Sequence, residues 1–449
     1  MTTFPATSTA TNTEIEATRR ILNTLFGPPQ ERPFAVRLWD GTTDRPADGR
    51  SRFTLVLPDP GALRRMLLPP SELAIAEAYI SGAADVEGNM EPTAELPELV
   101  ARHMGSLGIY LRLLRSLLSL PSAHTVQRGS LRRAHRLWRH GMSHAPTRDA
   151  QAVQFHYNVG NDFYALWLDR RMVYSCAYFE PGVDDLDMAQ EAKLELICRK
   201  LRLTPGEQLL DIGCGWGALL CYAAERYGVY AFGITLSEPQ AEEARARIAA
   251  AGLSERCRVE VQDYREMTDV HRFDKIASIG MVEHVGHDKL PVYFATAYRA
   301  LKPGGLFLNH GIISLSDARP KRVLDTLMAA VWKRDAFIQR YVFPDGHLVP
   351  FADVVAAAEG VGFETRDVES LREHYVKTLR HWVARLEAQA ADAIRLVGES
   401  TYRVWRLYMS ASAHAFATAG IGVVQTLFAK PDAAGGSHLP LTRQDVYFR

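Results

Sequence analysis

The stretch LLDIGCGWG, Leu209 to Gly217, decides the fold. An apolar run ends in a carboxylate, Asp211, and glycines follow at Gly213, Gly215 and Gly217. This reads as a buried strand turning tightly into a helix, because glycine lets the backbone bend sharply and approach a ligand closely. The helix start also offers free N–H groups and a partial positive charge. Working outward, helix and strand alternate from Ala189 onward. A helix over 189–201 leads to a strand at 207–212, one over 218–227 to a strand at 229–235, and one over 239–251 to a strand at 258–262. A strand at 273–279, a helix over 290–301, the turn Lys302–Gly305 and a strand at 306–310 complete the pattern. The alternation predicts an α/β fold with a doubly wound, largely parallel, Rossmann-like sheet.

The rest of the chain organises around that core. Residues 1–12 are Thr/Ser/Ala-rich and read as disordered. Residues 13–100 read as a small α+β domain, with strands FAVRLW and RFTLVL and a helix over 71–82. The window 101–150 reads as a basic amphipathic helical linker. It carries nine arginines, at 102, 112, 115, 128, 132, 133, 136, 139 and 148, against the one acid Asp149. Basic charge beside the leucines of 110–120 is the pattern of a helix lying on an anionic membrane surface, and equally of a solvated linker. The main domain is expected over 151–430 and a tail over 431–449. Residues 407–429 are uncharged and long enough to span a bilayer. His414, Gln425 and the break Gly420-Ile421-Gly422 make a buried helix, a turn and a final strand the better reading.

Composition excludes several classes. The 449 residues are 47% hydrophobic and 23% charged, which suits a soluble globular protein and not a fibrous, disordered or many-span chain. The 52 basic and 52 acidic residues cancel, which argues against a nucleic-acid partner. Five cysteines without a CxxC pair argue against a disulfide framework or a zinc ribbon, no metal site is expected, and a cytoplasmic setting is. The N-terminus lacks the basic start and apolar run of a secretory signal.

The glycine spacing is GxGxG, not the GxGxxG of dinucleotide binders, and the strand at 229–235 ends in Thr235-Leu236-Ser237 without a ribose-binding acid. A carboxylate just before the glycines suits a ligand with a cationic amino-acid end, which points to S-adenosylmethionine. A packing turn alone would explain the glycines. It would not explain Asp211 together with Gln262-Asp263-Tyr264 after the third strand and LKPGG before the fifth.

From about His156 to Lys430 the chain resembles the cyclopropane fatty-acid synthase and mycolic-acid methyltransferase family. The matching segments are HYNVGNDFY (156–164), MVYSCAYF (172–179), DIGCGWG, GITLSEPQ (233–240), QDYR (262–265), MVEHVG (281–286), NHGI (309–312), RYVFPDG (340–346) and HYVKTLRHW (374–382). Asn158 stands where the family often has Asp. The leading domain resembles that of the phospholipid-acting branch. The resemblance implies a Rossmann-like methyltransferase of class I that adds one carbon from S-adenosylmethionine across a cis double bond of an acyl chain of a membrane phospholipid. It implies cofactor contacts at Tyr174, Ser175, Asp211, Gly213, Gly215, Thr235, Gln240, Asp263 and Tyr264. The carbocation formed would lose its proton to a bicarbonate ion held by Cys176, Glu283, His310, Ile312 and Tyr375. Tyr178, Phe179, Tyr341, Phe343 and Trp382 are candidates for shielding the cation, since aromatic faces attract positive charge. Trp216 packs either on the cofactor or on its helix. Family members also imply a homodimer and peripheral attachment at the inner face of the membrane. Two rival readings stay open: the same transfer ending in a methylene or methyl-branched chain, and a non-catalytic lipid-binding protein on this fold.

Overall fold

The computed structural model describes residues 12–68, 71–104, 106–122, 159–315, 336–343, 346 and 348–447. Chain contacts divide it into two units. Among the described residues, the first holds those within Met1–Arg139, Arg319–Val342 and Gly398–His414, and the second holds the rest.

The first unit has a four-stranded sheet of β1 (Ala35–Arg37), β2 (Thr43–Asp44), β3 (Phe53–Val56) and β4 (Asp85–Gly88), in the order β2-β1-β3-β4. Its core combines Ile21 and Leu22 of helix Asn12–Phe26 with Phe34, Val36, Leu55 and Leu63. Helix Glu72–Ile80 starts where the Ser71 hydroxyl accepts the Ala74 N–H at 3.0 Å. Residues 398–414 belong to this unit, which corrects the expectation that 151–430 forms one domain. The cause is local: Arg403 pairs with Asp85 at 3.1 Å, and Arg406 donates to the Tyr79 hydroxyl and the Val86 and Gly88 carbonyls.

The second unit is built on seven strands: β5 (Gln208–Ile212), β6 (Tyr230–Thr235), β7 (Cys257–Val261), β8 (Phe273–Ile279), β9 (Leu301–Ser314), β10 (Glu364–Ser370) and β11 (Ile421–Ala429). The order is β10-β11-β9-β8-β5-β6-β7. Strands β5 to β9 pair in parallel, and β11 lies antiparallel between β9 and β10. β5 is buried on both faces, with Leu209 in the core cluster on one side and Leu210 and Ile212 in the cluster on the other. Helix Leu186–Leu201 begins with Asp185 accepting the Met188 N–H at 2.9 Å.

Three expectations change. The turn at 302–305 is absorbed into β9, which continues past His310 to Ser314 because β11 pairs with it from Leu306 to Ser314. β10 was not foreseen: its sequence ETRDVES is polar because it is an edge strand. The expected tail at 431–449 docks through its last described turn, Gln444–Tyr447. Val446 is 3% exposed, Tyr447 donates to Glu369 at 2.8 Å, and Arg202 reaches Asp445 at 3.2 Å. Residues 1–11 of the segment expected to be disordered and most of the linker (123–150) lie outside the described residues, whereas Asn12 already belongs to the first helix. Among the described residues no helix is long and apolar enough to cross a membrane.

Candidate active site

A cleft of about 1150 Å³, counting the space open to solvent, lies at the carboxyl ends of β5, β6 and β8. Tyr174, Ser175, Asp211, Gly213, Gly215, Thr235, Gln240 and Tyr264 all line it. Gly213 has φ +85°, and a Cβ there would stand 2.4 Å from Met281 Cγ, so this position requires glycine. The amides of Gly213 and Cys214 donate to the Ile234 carbonyl at 2.9 and 3.0 Å, so these two N–H groups pin the turn and do not face a ligand. Thr235 donates to Gln240 Oε1 at 2.9 Å, which brings that expected pair together. Asp263 departs from expectation: both its oxygens are held by Arg265, and Arg265, not Asp263, lines the cleft. Trp216 lines the cleft and donates to Asn161 Oδ1 at 2.9 Å.

Asp211 is 3% exposed, and its Oδ1 has no hydrogen-bond partner among the described residues. Burial pushes its carboxyl up to about 7, against the opposing attraction of Lys193. An orphaned buried acceptor beside a glycine turn is a site for a cation.

The second group converges on the ends of β9 and β11. Glu283 sits on the short helix Val282–Val285, and its Oε1 accepts the Ile312 N–H at 2.7 Å. Gly311 makes that approach feasible, because a Cβ there would stand 2.2 Å from Val282 Cγ1. Ile312 faces Val423 across the β9–β11 pairing, and the Val423 carbonyl accepts the Leu371 N–H at 2.9 Å. The Leu371 carbonyl in turn receives the Tyr375 N–H at 3.0 Å and the Cys176 thiol at 3.6 Å. Four of the five expected residues are thereby joined, and His310 lies on β9 two residues before Ile312; Ile312 offers its amide to Glu283 and so acts by holding it. Burial pushes the Cys176 thiol up, so it stays protonated and is no nucleophile.

Glu283 Oε2 and His310 Nε2 are both buried without a partner among the described residues. Burial raises Glu283 to about 7. Burial, then Lys193 and Lys200, hold His310 well below its usual range, so the ring is neutral. Its tautomer follows from its neighbours. Lys200 can only donate, so the Gln425 atom it meets at 2.8 Å is the carbonyl oxygen, and the Gln425 amide nitrogen donates to His310 Nδ1 at 3.2 Å. The ring proton therefore sits on Nε2. Glu283 Oε2 is thus an orphaned acceptor and His310 Nε2 an orphaned donor.

The aromatic candidates separate. Trp382 lies 5.9 Å from Tyr375 and 5.3 Å from Tyr174, linking the two groups. Tyr178 stacks on His374 and Phe179 on His381. Phe343 packs 5.4 Å from His284, which lines the cleft. Tyr341 belongs to the first unit, where its hydroxyl meets Glu77 at 3.0 Å. Sequence reasoning missed Lys193, Lys200 and Gln425. A signal existed: Lys193 and Lys200 fall on the buried stripe of helix Leu186–Leu201 with Ala189 and Ile197, where lysine is out of place.

A seven-stranded, centrally parallel sheet with a glycine turn and an orphaned carboxylate at its carboxyl edge defines a class I S-adenosylmethionine-dependent methyltransferase. Within that class the chain belongs to the mycolic acid cyclopropane synthetase family, whose model matches residues 144–426. A second model, described only as a domain of unknown function, matches residues 21–101. A probable fatty acid methyltransferase of Pseudomonas putida is 38% identical over 92% of this chain and 96% of its own length. The cyclopropane-fatty-acyl-phospholipid synthase of Escherichia coli strain K12 is 38% identical over 61% of this chain and 66% of its own. The crystal structure of a mycolic acid cyclopropane synthase complexed with SAH and CTAB superposes with a TM-score of 0.58 at 36% identity, covering 62% of this chain and 97% of that one.

Proposed function

We propose that this enzyme transfers the methyl group of S-adenosylmethionine to the cis double bond of an unsaturated acyl chain of a membrane phospholipid and releases a cyclopropane. The observation that carries the reading is the pair of orphaned buried atoms, Glu283 Oε2 and His310 Nε2, joined by one strand-pairing network to a cleft with a third, Asp211 Oδ1. S-adenosylmethionine supplies an electrophilic methyl group when bound. Asp211 faces its cationic amino-acid end, while Thr235, Gln240 and Tyr264 line the remainder of the cleft. The alkene is a weak nucleophile and its product cation has no counter-charge. The work of the protein is therefore to align, to exclude water and to shield, with Trp382 and Tyr375 as the ring faces at hand.

A proton must then leave the added carbon as the ring closes. The donor–acceptor pair at His310 and Glu283 fits a bicarbonate ion, which carries both an O–H and an anionic oxygen and would supply the base. His310 Nε2–H offers its proton to such an anion, and Ile312 fixes the Glu283 carboxylate.

A second reading keeps the same transfer but ends in a methylene or methyl-branched chain. The broader description, probable fatty acid methyltransferase, carried by the relative that matches over 92% of this chain, supports it. The enzyme would act as a homodimer, peripherally, on the cytoplasmic face of the membrane. Incubation with S-adenosylmethionine and unsaturated phospholipid vesicles tests the whole. Far-upfield cyclopropane protons in the NMR spectrum of the extracted lipid are the expected result. Alkene-region methylene signals would select the second reading, and no methyl incorporation would reject both.

A further inference from the structure

Lys193 is 1% exposed, yet it lines the cleft together with Asp211 and Ser175. Among the described residues its ammonium makes one hydrogen bond, donated to Ser175 Oγ at 2.8 Å, for a group with three N–H donors. An ammonium is expensive to bury, and a helix that places one on its apolar stripe must compensate it. Asp169 is a poor sole reason for it: that carboxylate is already engaged by the Val173 and Arg171 amides at 2.8 and 2.9 Å. The cleft thus contains one buried cation and one buried anion, each with bonding capacity left. The amino-acid end of S-adenosylmethionine presents the complement, an α-carboxylate and an α-ammonium.

Resting on the cofactor reading above, we propose that Lys193 and Asp211 form a two-charge reader of that zwitterion, with Lys193 binding the α-carboxylate and Asp211 the α-ammonium. Ser175, held by Lys193, offers its hydroxyl to the same carboxylate. The arrangement explains why burial leaves both groups poised: Lys193 is lowered to about 8 by desolvation, against the pull of Asp169, Cys176 and Asp211. A zwitterionic ligand compensates both charges at once, whereas an adenosine thioether without the carboxylate leaves Lys193 uncompensated. The pair would therefore select the complete cofactor over its truncated forms.

The test is a ligand–protein cycle by calorimetry. S-adenosylhomocysteine is compared with its decarboxylated analogue, which keeps the amine, on the wild-type chain and on Lys193→Met. Wild type should bind the analogue roughly ten- to hundredfold more weakly, the scale of one hydrogen-bonded charge. Lys193→Met should lose the same factor for S-adenosylhomocysteine and lose little further for the analogue. Equal ratios in the two proteins would overturn the assignment. So would an unchanged ratio with lost turnover restored by added bicarbonate, which would place Lys193 at the anion site. Lys193→Gln serves as the second neutral variant. If neither variant folds, equal wild-type affinity for the two ligands overturns the proposal by itself. A wild-type chain that binds neither ligand would remove the cofactor reading, and this proposal with it.

Discussion

Glu283 has one oxygen committed to the Ile312 amide and the other buried without a partner, so its value to the reaction lies in the second. Glu283→Gln keeps the shape and the first bond while removing the charge. It should bind S-adenosylhomocysteine as wild type does and lose about 100-fold or more in turnover, mainly in kcat, since the charge matters at the cationic step. Steady-state kinetics beside calorimetry check this, and full activity would remove Glu283 from the mechanism. Asp211 gives a pH signature. Its folded carboxyl titrates near 7, above the ordinary 3.8, so the stability it contributes is present below the unfolded value and is lost as pH rises through 7. Ligand binding runs the other way, because a cationic partner needs the ionised form. Affinity for S-adenosylhomocysteine should rise about tenfold between pH 6 and pH 8 and fall again above 8 as Lys193 discharges. Calorimetry in buffers of different ionisation enthalpy should show proton release on binding at pH 6. Affinity flat across that range would contradict the roles of both groups.

At the scale of elements, the antiparallel pairing of β9 with β11 sets His310 opposite Gln425 and Ile312 opposite Val423. Helix Leu186–Leu201 then delivers Lys200 to the far side of Gln425, at 2.8 Å. Three elements distant in sequence thus specify where one proton sits on one imidazole. Gln425→Leu removes the donor to Nδ1 and frees the ring to take either tautomer. Turnover should fall about tenfold or more with cofactor affinity unchanged, and the nitrogen-15 NMR signature of His310 should move from the Nε2–H form toward a mixture. A variant with an unmoved imidazole signal would show that Gln425 is mere packing.

At the scale of the molecule, the first unit exposes helix Leu107–Ser119 with three leucines outward, Leu111, Leu114 and Leu118, and Arg112 and Arg115 exposed beside them. Its other side is in the core through Leu117. Exposed leucine at helical spacing flanked by arginine matches an anionic lipid surface, which the proposed reaction on membrane phospholipid would require the enzyme to reach. Sedimentation with anionic vesicles should weaken steeply as salt rises. Arg132, Arg133 and Arg136 changed together to Ser should lower it while leaving cofactor affinity intact. Salt-insensitive sedimentation would show the basic window to be a solvated linker.

How far each part was legible follows from where its information resides. The strand–helix alternation, the glycine turn and the carboxylate Asp211 before it could be read from sequence, because they depend on periodicity and on backbone geometry within a few residues, whereas Thr235 and Gln240 were named by resemblance. The five residues of the second site were named only by resemblance, since they come from four separate segments and no local pattern links them. The sequence by itself determined the class of fold, the glycine turn at the cleft and the carboxylate beside it. Only the tertiary structure decided that Ile312 serves Glu283, that Asp263 belongs to Arg265, that His310 carries its proton on Nε2, and that Lys193 shares the cleft with Asp211. Each of these depends on a hydrogen bond or a desolvated charge between residues far apart in the chain. Burial is what gives such charges their energy, and burial is a property of the packed molecule alone.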